Sequence, residues 1–213
     1  MTVRPARAAG LVLLRRAAAE TGDPFEVLLG RRHRRSRFMP NIYVFPGGRI
    51  DAADNRPSGF AEDLPVTPGA LPLSDAELAA CARAAVRETF EETGLLFGLP
   101  GRQTPGVERP VGDIWTAFAS TGLAPAFVAM RLVARAVTPA RYPIRFDTYF
   151  FAADGAVAQG HLAGDGELED VGWVPVGSAV ALPMAEVTRL ILREAISHQG
   201  QAAGIGEVPT FSV

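Results

Sequence analysis

Residues 86–94 read VRETFEETG, and three of these residues are glutamates: Glu88, Glu91 and Glu92. They lie within a longer stretch, residues 74–94, that predicts a helix because its apolar residues recur at helical spacing. Ser74 and Glu77 form a capping-box signature at the start of this stretch, and Gly94 stands where the helix would end. On such a helix, positions 88, 91 and 92 project from one face.

A cluster of like charges on one helix face requires an explanation. Like-charged pairs three or four residues apart destabilise a helix by about 0.2–0.5 kcal/mol each. A cation among the carboxylates would remove this repulsion. Mg²⁺ and Mn²⁺ are hard ions that prefer carboxylate oxygens and often bind substrate phosphates as well. The three glutamates therefore indicate a metal site, and a solvated acidic helix face is the alternative interpretation.

The composition indicates a folded protein and argues against some functions. The chain has 213 residues, of which 48% are apolar, and its net charge is -2. We therefore predict one domain over residues 1–213 with a sizeable core. A nucleic-acid-binding protein would usually be more basic, so we expect no nucleic-acid partner. The single cysteine, Cys81, cannot form an internal disulfide, which suits a reducing compartment.

The apolar run near the N-terminus, residues 8–14, is too short to span a bilayer, and no small-residue cleavage site follows it. It is typical of a first strand. We therefore expect no membrane partner and a cytoplasmic location. One sequence does not decide the oligomeric state, and a homodimer stays open.

The whole pattern predicts strands, then a helix, then more strands and a closing helix, with loops between them. A turn at residues 21–24 would join the first two strands into a hairpin. The predicted strands are residues 9–14, 25–30, 129–139, 144–154 and 167–176. The other predicted helices are residues 113–122 and 185–200, and the predicted loops are 52–73, 98–112 and 155–166. This order favours a mixed sheet packed by helices.

The turn Phe45-Pro46-Gly47-Gly48 precedes the helix and is of the kind that brings backbone groups close to a ligand. Together with the helix, it resembles the conserved box of the Nudix hydrolase family. Gly48 opens the box, and Asp54 stands where the family has glutamate. The second half of the box is matched by Arg87, Glu88, Glu91, Glu92, Gly94 and Leu95. Here 32 residues separate Asp54 from Arg87 where the family has seven, which predicts an insertion at about 55–79.

The resemblance implies an α/β fold of the α+β kind, the Nudix α/β/α sandwich with a mixed central sheet. It also implies that Mg²⁺ or Mn²⁺ is bound by Glu88, Glu91, Glu92 and a carbonyl of the Gly47-Gly48 turn. Arg87 would orient the glutamates and pair with Asp54. A water molecule would attack one phosphorus of a diphosphate-linked substrate. The general base would be a box glutamate, Glu167 or Glu169.

A motif upstream of the box resembles the coenzyme A (CoA) diphosphatase branch of the family. Leu28, Leu29, Arg32, Arg37 and the turn 45–48 match that motif, and Gly30, His33 and Asn41 differ from it. The animal acyl-CoA diphosphatases also carry an insertion within the box. The resemblance implies that Arg32, Arg37, Phe45, Gly47 and Gly48 bind CoA or acyl-CoA, which would be cleaved to adenosine 3′,5′-bisphosphate and (acyl-)phosphopantetheine.

Two other functions remain alternatives at this stage. One is hydrolysis of another nucleoside diphosphate derivative, such as ADP-ribose, NADH, a dinucleotide or a nucleotide sugar. The other is a nucleotide-binding regulator without catalysis, which is disfavoured because all three box glutamates are present. We assign purely structural roles to Cys81 and to the aromatic residues Phe146, Tyr149 and Phe151, while one aromatic stacking on an adenine stays a further interpretation.

Overall fold

The computed structural model describes residues 3–64, 72–108, 110, 112–163, 166–199 and 208–212. Within these ranges most strands belong to one large mixed sheet and three to a smaller one. The strands are β1 (Ala6–Arg16), β2 (Phe25–Arg32), β3 (Tyr43–Val44), β4 (Gly47–Arg49), β5 (Leu96–Pro100), β6 (Leu123–Pro125), β7 (Arg131–Val137), β8 (Phe146–Asp154), β9 (Ala158–Gln159), β10 (Leu168–Pro175) and β11 (Thr210–Ser212).

In the described ranges the α-helices follow β4, β5 and β10 along the chain. The α-helices are α1 (Asp75–Thr93), α2 (Asp113–Thr121), α3 (Val176–Ala179) and α4 (Glu186–Ser197). Short 3₁₀ helices span Ala19–Thr21, Ala52–Asn55, Phe127–Ala129 and Gly155–Val157. Among the helices of the described ranges, none is both long enough and apolar enough to cross a bilayer.

The large sheet has the order β10-β2-β1-β8-β7-β11, with β3 paired to β2 and β4 paired to β1. Strands β1 and β8 run parallel at its centre, as do β7 and β11 at its edge. The other pairs of this sheet are antiparallel, including the predicted hairpin of β1 and β2. The smaller sheet has the order β6-β5-β9.

Strand β1 divides the core into two layers because its side chains alternate between the faces of the sheet. Leu11 and Leu13 pack into the cluster that contains the buried residues of α1. Val12 and Leu14 pack into the cluster that contains Ile191, Leu192 and Ala195 of α4. The sheet therefore lies between α1 and α4, which confirms the predicted α/β/α sandwich.

Helix α1 begins and ends where its sequence predicts. The Ser74 side chain accepts a hydrogen bond from the Glu77 amide, and Gly94 adopts the left-handed conformation that closes the helix. Residues 80–87 are all buried, however, so the helix is covered on more than the single predicted stripe. The reason is tertiary, since Phe60 from the insertion and Phe118 from α2 pack in the same cluster as the helix.

The prediction of uninterrupted loops was wrong at two places. Strand β5 runs into the predicted loop 98–112, and β9 lies within the predicted loop 155–166. The two strands pair with each other, and both are too short to show an alternating pattern in the sequence. Strand β11 was also unpredicted. The parts of the predicted segments at residues 109, 111, 164, 165 and 200 lie outside the described residues.

The insertion predicted at about 55–79 is described except for residues 65–71. Its described first part packs against α1, where Ser58 and Phe60 are buried. Its last residues, from Asp75 onward, form the first turn of α1. The described part is thus an extension of the core beside the helix. The assignment of residues 1–213 to one domain stays a prediction.

Candidate functional site

The glycine turn meets α1 at close range. Strand β4 pairs antiparallel with β1, placing Gly48 opposite Ala9. A Cβ atom on Gly48 would collide with the carboxylate of Glu88, so any larger residue here would displace that side chain from its present position. The Gly47 amide donates a hydrogen bond of 2.8 Å to Oε2 of Glu92. The sequence-predicted pairing of turn and glutamates is therefore present in the fold.

Arg87 connects the glutamates to the first half of the box. Its Nη1 donates to Oε1 of Glu88 at 3.0 Å and to Oε2 of Glu91 at 2.8 Å. Its Nη2 donates to the Arg49 carbonyl at 3.0 Å. Together with two bonds to Asp54, these contacts use every N–H of the guanidinium.

Asp54 takes the position of the family's glutamate and performs the predicted pairing. It is 1% exposed, and its two carboxylate oxygens accept from Nε of Arg87 at 3.1 Å and from Nη2 at 2.9 Å. The Asp51 amide donates to the same carboxylate, which fixes it in a capping box. Burial opposes the charge on Arg87, but Asp54, Glu88 and Glu91 more than offset this effect and raise the Arg87 pKa.

The three glutamates differ in exposure, and burial raises the pKa of two of them. The Glu91 side chain is 44% exposed, whereas Glu88 is 14% exposed. Burial raises the pKa of Glu88 to about 7, with repulsion from Glu91 and Glu167 adding to the shift. Burial likewise raises the pKa of Glu92 to about 8, although the Gly47 amide opposes the shift. Arg87 opposes the shift of Glu88 and Arg32 opposes that of Glu92, but burial outweighs both, so a further cation would be favoured beside these carboxyl groups.

The two later acids have different surroundings. Glu167 lines the cavity that contains the box glutamates. Glu169 instead forms an ion pair of 2.8 Å with Arg31 and lies 3.5 Å from Nε2 of His33. The structure thus brings Glu167, and not Glu169, to the candidate site.

The cavity has a volume of about 570 Å³ and is lined by most of the predicted site residues. These are Arg32, Phe45, Gly47, Gly48, Arg87, Glu88, Glu91 and Glu92. The Nε atom of Arg32 is buried and has no hydrogen-bond partner among the described residues. Arg37 is exposed and is not among the lining residues, so its role in binding stays a prediction.

Several lining residues were not predicted as site residues. They include Phe38, Met39, Arg49, Tyr142 and Phe146. The assignment of Phe146 to the sheet core was wrong in this respect, because it is only partly buried and lines the cavity, whereas Tyr149 and Phe151 are buried as predicted. Residues 146, 148 and 150 all line the cavity. Their alternation along β8 indicates from the sequence that they share one face of the strand. The sequence does not show, however, which face meets a ligand.

The chemistry of the donors fits a divalent cation. Carboxylate oxygens of α1 face one cavity beside the backbone of the glycine turn, and the pKa values of two of them are raised by burial and by neighbouring negative charge. Within the described residues, no three acidic, His or Cys side chains already converge as a metal-binding group. Instead Glu88 and Glu91 contact Arg87, and Glu92 contacts the Gly47 amide.

Comparison with known proteins agrees with this geometry. The crystal structure of a Nudix hydrolase from Alicyclobacillus acidocaldarius is 30% identical, with a TM-score of 0.69, and the match covers 92% of this chain and 93% of that one. The Acyl-coenzyme A diphosphatase NUDT19 of Xenopus laevis is 33% identical over 103 residues, or 36% of this chain and 26% of that protein. Putative nudix hydrolase 7 of Caenorhabditis elegans is 32% identical over 132 residues, or 59% of this chain and 38% of that protein.

This chain thus spans well under half the length of the two curated relatives. No protein-family model matches it. The Alicyclobacillus structure, however, is matched along nearly its whole length at 30% identity, and the box residues surround one cavity. The chain therefore belongs to the Nudix hydrolase family.

Proposed function

We propose that this chain is a hydrolase, dependent on Mg²⁺ or Mn²⁺, that cleaves the diphosphate of CoA or acyl-CoA. The products are adenosine 3′,5′-bisphosphate and (acyl-)phosphopantetheine. The observation that carries the proposal is a single cavity that holds both the box glutamates and Arg32. The match to an animal acyl-coenzyme A diphosphatase supports the choice of substrate.

Arg32 provides the basic side of the site. Arg32 lines the cavity, and its buried Nε has no hydrogen-bond partner among the described residues. A buried donor without a partner is costly, and a phosphate oxygen is a strong acceptor for an arginine. Arg32 therefore binds a phosphate oxygen of the substrate.

The acidic side of the site performs the chemistry. Glu88, Glu91 and Glu92 would hold the metal with the help of the Gly47 carbonyl, and the ion would supply stabilisation of phosphoryl charge and a more acidic water when bound. Arg87 fixes the position of Glu88 and Glu91 through its two Nη1 bonds. Glu167, which lines the same cavity, accepts the proton of the attacking water. The water oxygen bonds to one phosphorus, and the bridging P–O bond breaks.

One observation favours a second candidate function. Arg37 belongs to the upstream motif, but it is exposed and does not line the cavity. If the motif is incidental, the same catalytic residues would act on another nucleoside diphosphate derivative, such as ADP-ribose or NADH.

A substrate panel distinguishes these functions. The purified protein is incubated with Mg²⁺ or Mn²⁺ and, separately, with CoA, an acyl-CoA, ADP-ribose, NADH, a diadenosine polyphosphate and a nucleoside triphosphate. We expect adenosine 3′,5′-bisphosphate from CoA, identified by chromatography and mass, with slower turnover of the others. Rapid turnover of another compound with CoA inert would reject the CoA proposal.

A further inference from the structure

The cavity continues from the glycine turn along strand β8. Phe150 lies beside this turn, since a Cβ atom added to Gly10 would be 3.0 Å from the Phe150 ring and 3.2 Å from the Pro46 carbonyl oxygen. Phe146 lies four residues earlier and faces the same cavity. At about 3.3 Å per residue, the two positions are roughly 13 Å apart along the strand. A substrate held at the glutamates therefore has a second surface within reach.

This second surface consists of apolar side chains, which we call the apolar wall. Its members are Phe38, Met39, Ile42, Val137, Tyr142 and Phe146. The rings of Phe38 and Phe146 meet edge to face with their centroids 5.2 Å apart. Met39 and Tyr142 are each 37% exposed, so the wall reaches the protein surface. None of the wall residues belongs to the Nudix box.

The loop that carries Phe38 and Met39 is held in an unfavourable backbone conformation. Met39 has φ 49° and Asn41 has φ 60°, on either side of Pro40. In the described ranges only one other non-glycine residue, Asp170, has a positive φ. Backbone hydrogen bonds between Arg32 and residues 41 and 42 close the loop. Such strain persists where the surrounding structure enforces it, and it is concentrated at functional sites.

The chemistry of the wall favours an aliphatic group over a base or a sugar. The guanidinium carbon of Arg49 lies over the Phe146 ring, 5.4 Å from its centroid, so a cation already occupies one face of that ring. The 68° angle between Phe38 and Phe146 leaves no parallel slot for a flat base between them. A sugar would bury several hydroxyl groups against a wall in which only the Tyr142 hydroxyl is a good hydrogen-bond partner, which is unfavourable.

Building on the proposed function, we propose that the apolar wall is the specificity-determining surface for the half of the substrate that leaves as phosphopantetheine. The pantoyl part of CoA places two methyl groups near the diphosphate. ADP-ribose places a hydroxylated ribose at the equivalent position. The wall therefore selects an aliphatic substituent against a sugar, independently of the adenosine half of the substrate.

Three substrates distinguish the effect of the 3′-phosphate on specificity from the effect of the group on the other side of the diphosphate. CoA and dephospho-CoA differ only in the 3′-phosphate, whereas dephospho-CoA and ADP-ribose differ in the group on the other side of the diphosphate. We would measure kcat/KM for all three with the wild type, Phe38→Ala and Phe146→Ala. Leu99→Ala provides a control, because Leu99 is a 39% exposed apolar residue outside the cavity. Thermal unfolding of each variant checks that it is folded.

For the wild type we expect dephospho-CoA to exceed ADP-ribose in kcat/KM by at least roughly tenfold, since each buried methyl-sized group contributes about fourfold. Each wall variant should lower kcat/KM for CoA and dephospho-CoA by about tenfold and for ADP-ribose by less than about threefold. The control should change none of the three values.

Two results would overturn this inference and leave the proposed function intact. Equal losses on CoA and ADP-ribose would show that the wall contacts the shared adenosine half, and unchanged turnover of CoA by both variants would show that it contacts no substrate. If the wild type turned over ADP-ribose but not CoA or dephospho-CoA, the proposed function itself would fail and the inference with it.

Discussion

Asn41 shows how one residue preserves a backbone conformation without glycine. It has φ 60°, in the left-handed region, at the position where the CoA diphosphatase motif carries glycine. Asparagine tolerates this region better than other side chains with a Cβ atom. Its backbone amide donates to the Arg32 carbonyl at 3.1 Å, so the conformation also helps to position Arg32, which lines the cavity. Asparagine thus stands at a motif glycine position in a backbone conformation that glycine adopts without strain.

We predict that two substitutions of Asn41 differ in their effect on stability. Asn41→Ala should lower the free energy of unfolding by about 1 kcal/mol, because alanine is strained in the left-handed region. Asn41→Gly should stay within about 0.5 kcal/mol of the wild type, because glycine adopts this region without strain. Urea unfolding followed by circular dichroism measures both. Equal stability of the two variants would show that the positive φ is unimportant.

At the scale of elements, the start of α1 is tied to strand β1. Glu77 completes the capping box with Ser74 and also forms a salt bridge with Arg7. The Ser74 amide, the Arg7 guanidinium and the Ser74 hydroxyl lower the Glu77 pKa to about 2 from its ordinary value of 4.5. The folded state therefore binds this proton less tightly than the unfolded state does.

A dependence of stability on pH follows from this shift. The stabilisation by Glu77 is fully present above about pH 4.5 and is lost as the pH falls through about 2. In Glu77→Gln the amide keeps a capping contact but no charge, so this pH dependence disappears. We expect the stability difference between wild type and variant to shrink as the pH is lowered from 5 to about 2. A difference that is constant across urea titrations in this range would contradict the assignment.

The insertion is fixed to α1 by a second charged pair. Arg83 binds Glu62 through Nε at 2.9 Å and Nη2 at 2.5 Å, and its Nη1 donates to the Asp54 carbonyl at 2.6 Å. The Arg83 side chain is only 8% exposed. Since Asp54 in turn binds Arg87, the described part of the insertion supports the residue that orients the glutamates.

Replacing only Arg83 should lower the stability of the protein more than replacing both Arg83 and Glu62. Arg83→Met should destabilise the protein by roughly 2–4 kcal/mol, because Glu62 stays partly buried without its partner. Adding Glu62→Gln should restore part of the loss, since an amide is less costly to bury than a charge. Chemical unfolding of the single and double variants measures this. A double variant less stable than Arg83→Met would exclude the proposed cause.

At the scale of the whole molecule, metal binding and folding stability are linked. A ligand that binds only the folded state stabilises it by about 2.7 kcal/mol at a concentration of 100 Kd, which for a chain of this size raises Tm by roughly 5–10 °C. We expect Mg²⁺ or Mn²⁺ to produce such a rise in the wild type. Glu92→Gln should abolish most of it and lower kcat by at least about 100-fold, because the variant lacks a proposed metal-binding carboxylate.

Differential scanning fluorimetry with and without the metals measures the rise in Tm, and so tests metal binding independently of turnover. Glu169→Gln is a matched control, because Glu169 is paired with Arg31 and does not line the cavity. It should keep the metal-induced rise in Tm. An equal rise in Glu92→Gln and the wild type would place the metal elsewhere or exclude it.

The sequence alone determined the features that depend on neighbours along the chain. The length and caps of α1, the β1–β2 hairpin and the grouping of Glu88, Glu91 and Glu92 follow from local periodicity and capping chemistry. The Asp54–Arg87 pair was predictable despite the long separation, because the family resemblance supplied the register.

Only the tertiary structure decided which residues share the cavity. Glu167 lines it while Glu169 does not, and Arg32 lines it while Arg37 does not, although each pair lies close together in sequence. The short strands β5 and β9, the burial of α1 on several sides and the apolar wall also depend on contacts between distant segments. Local patterns report which side chains prefer burial, whereas the pairing of strands fixes which of them face each other and which face a ligand.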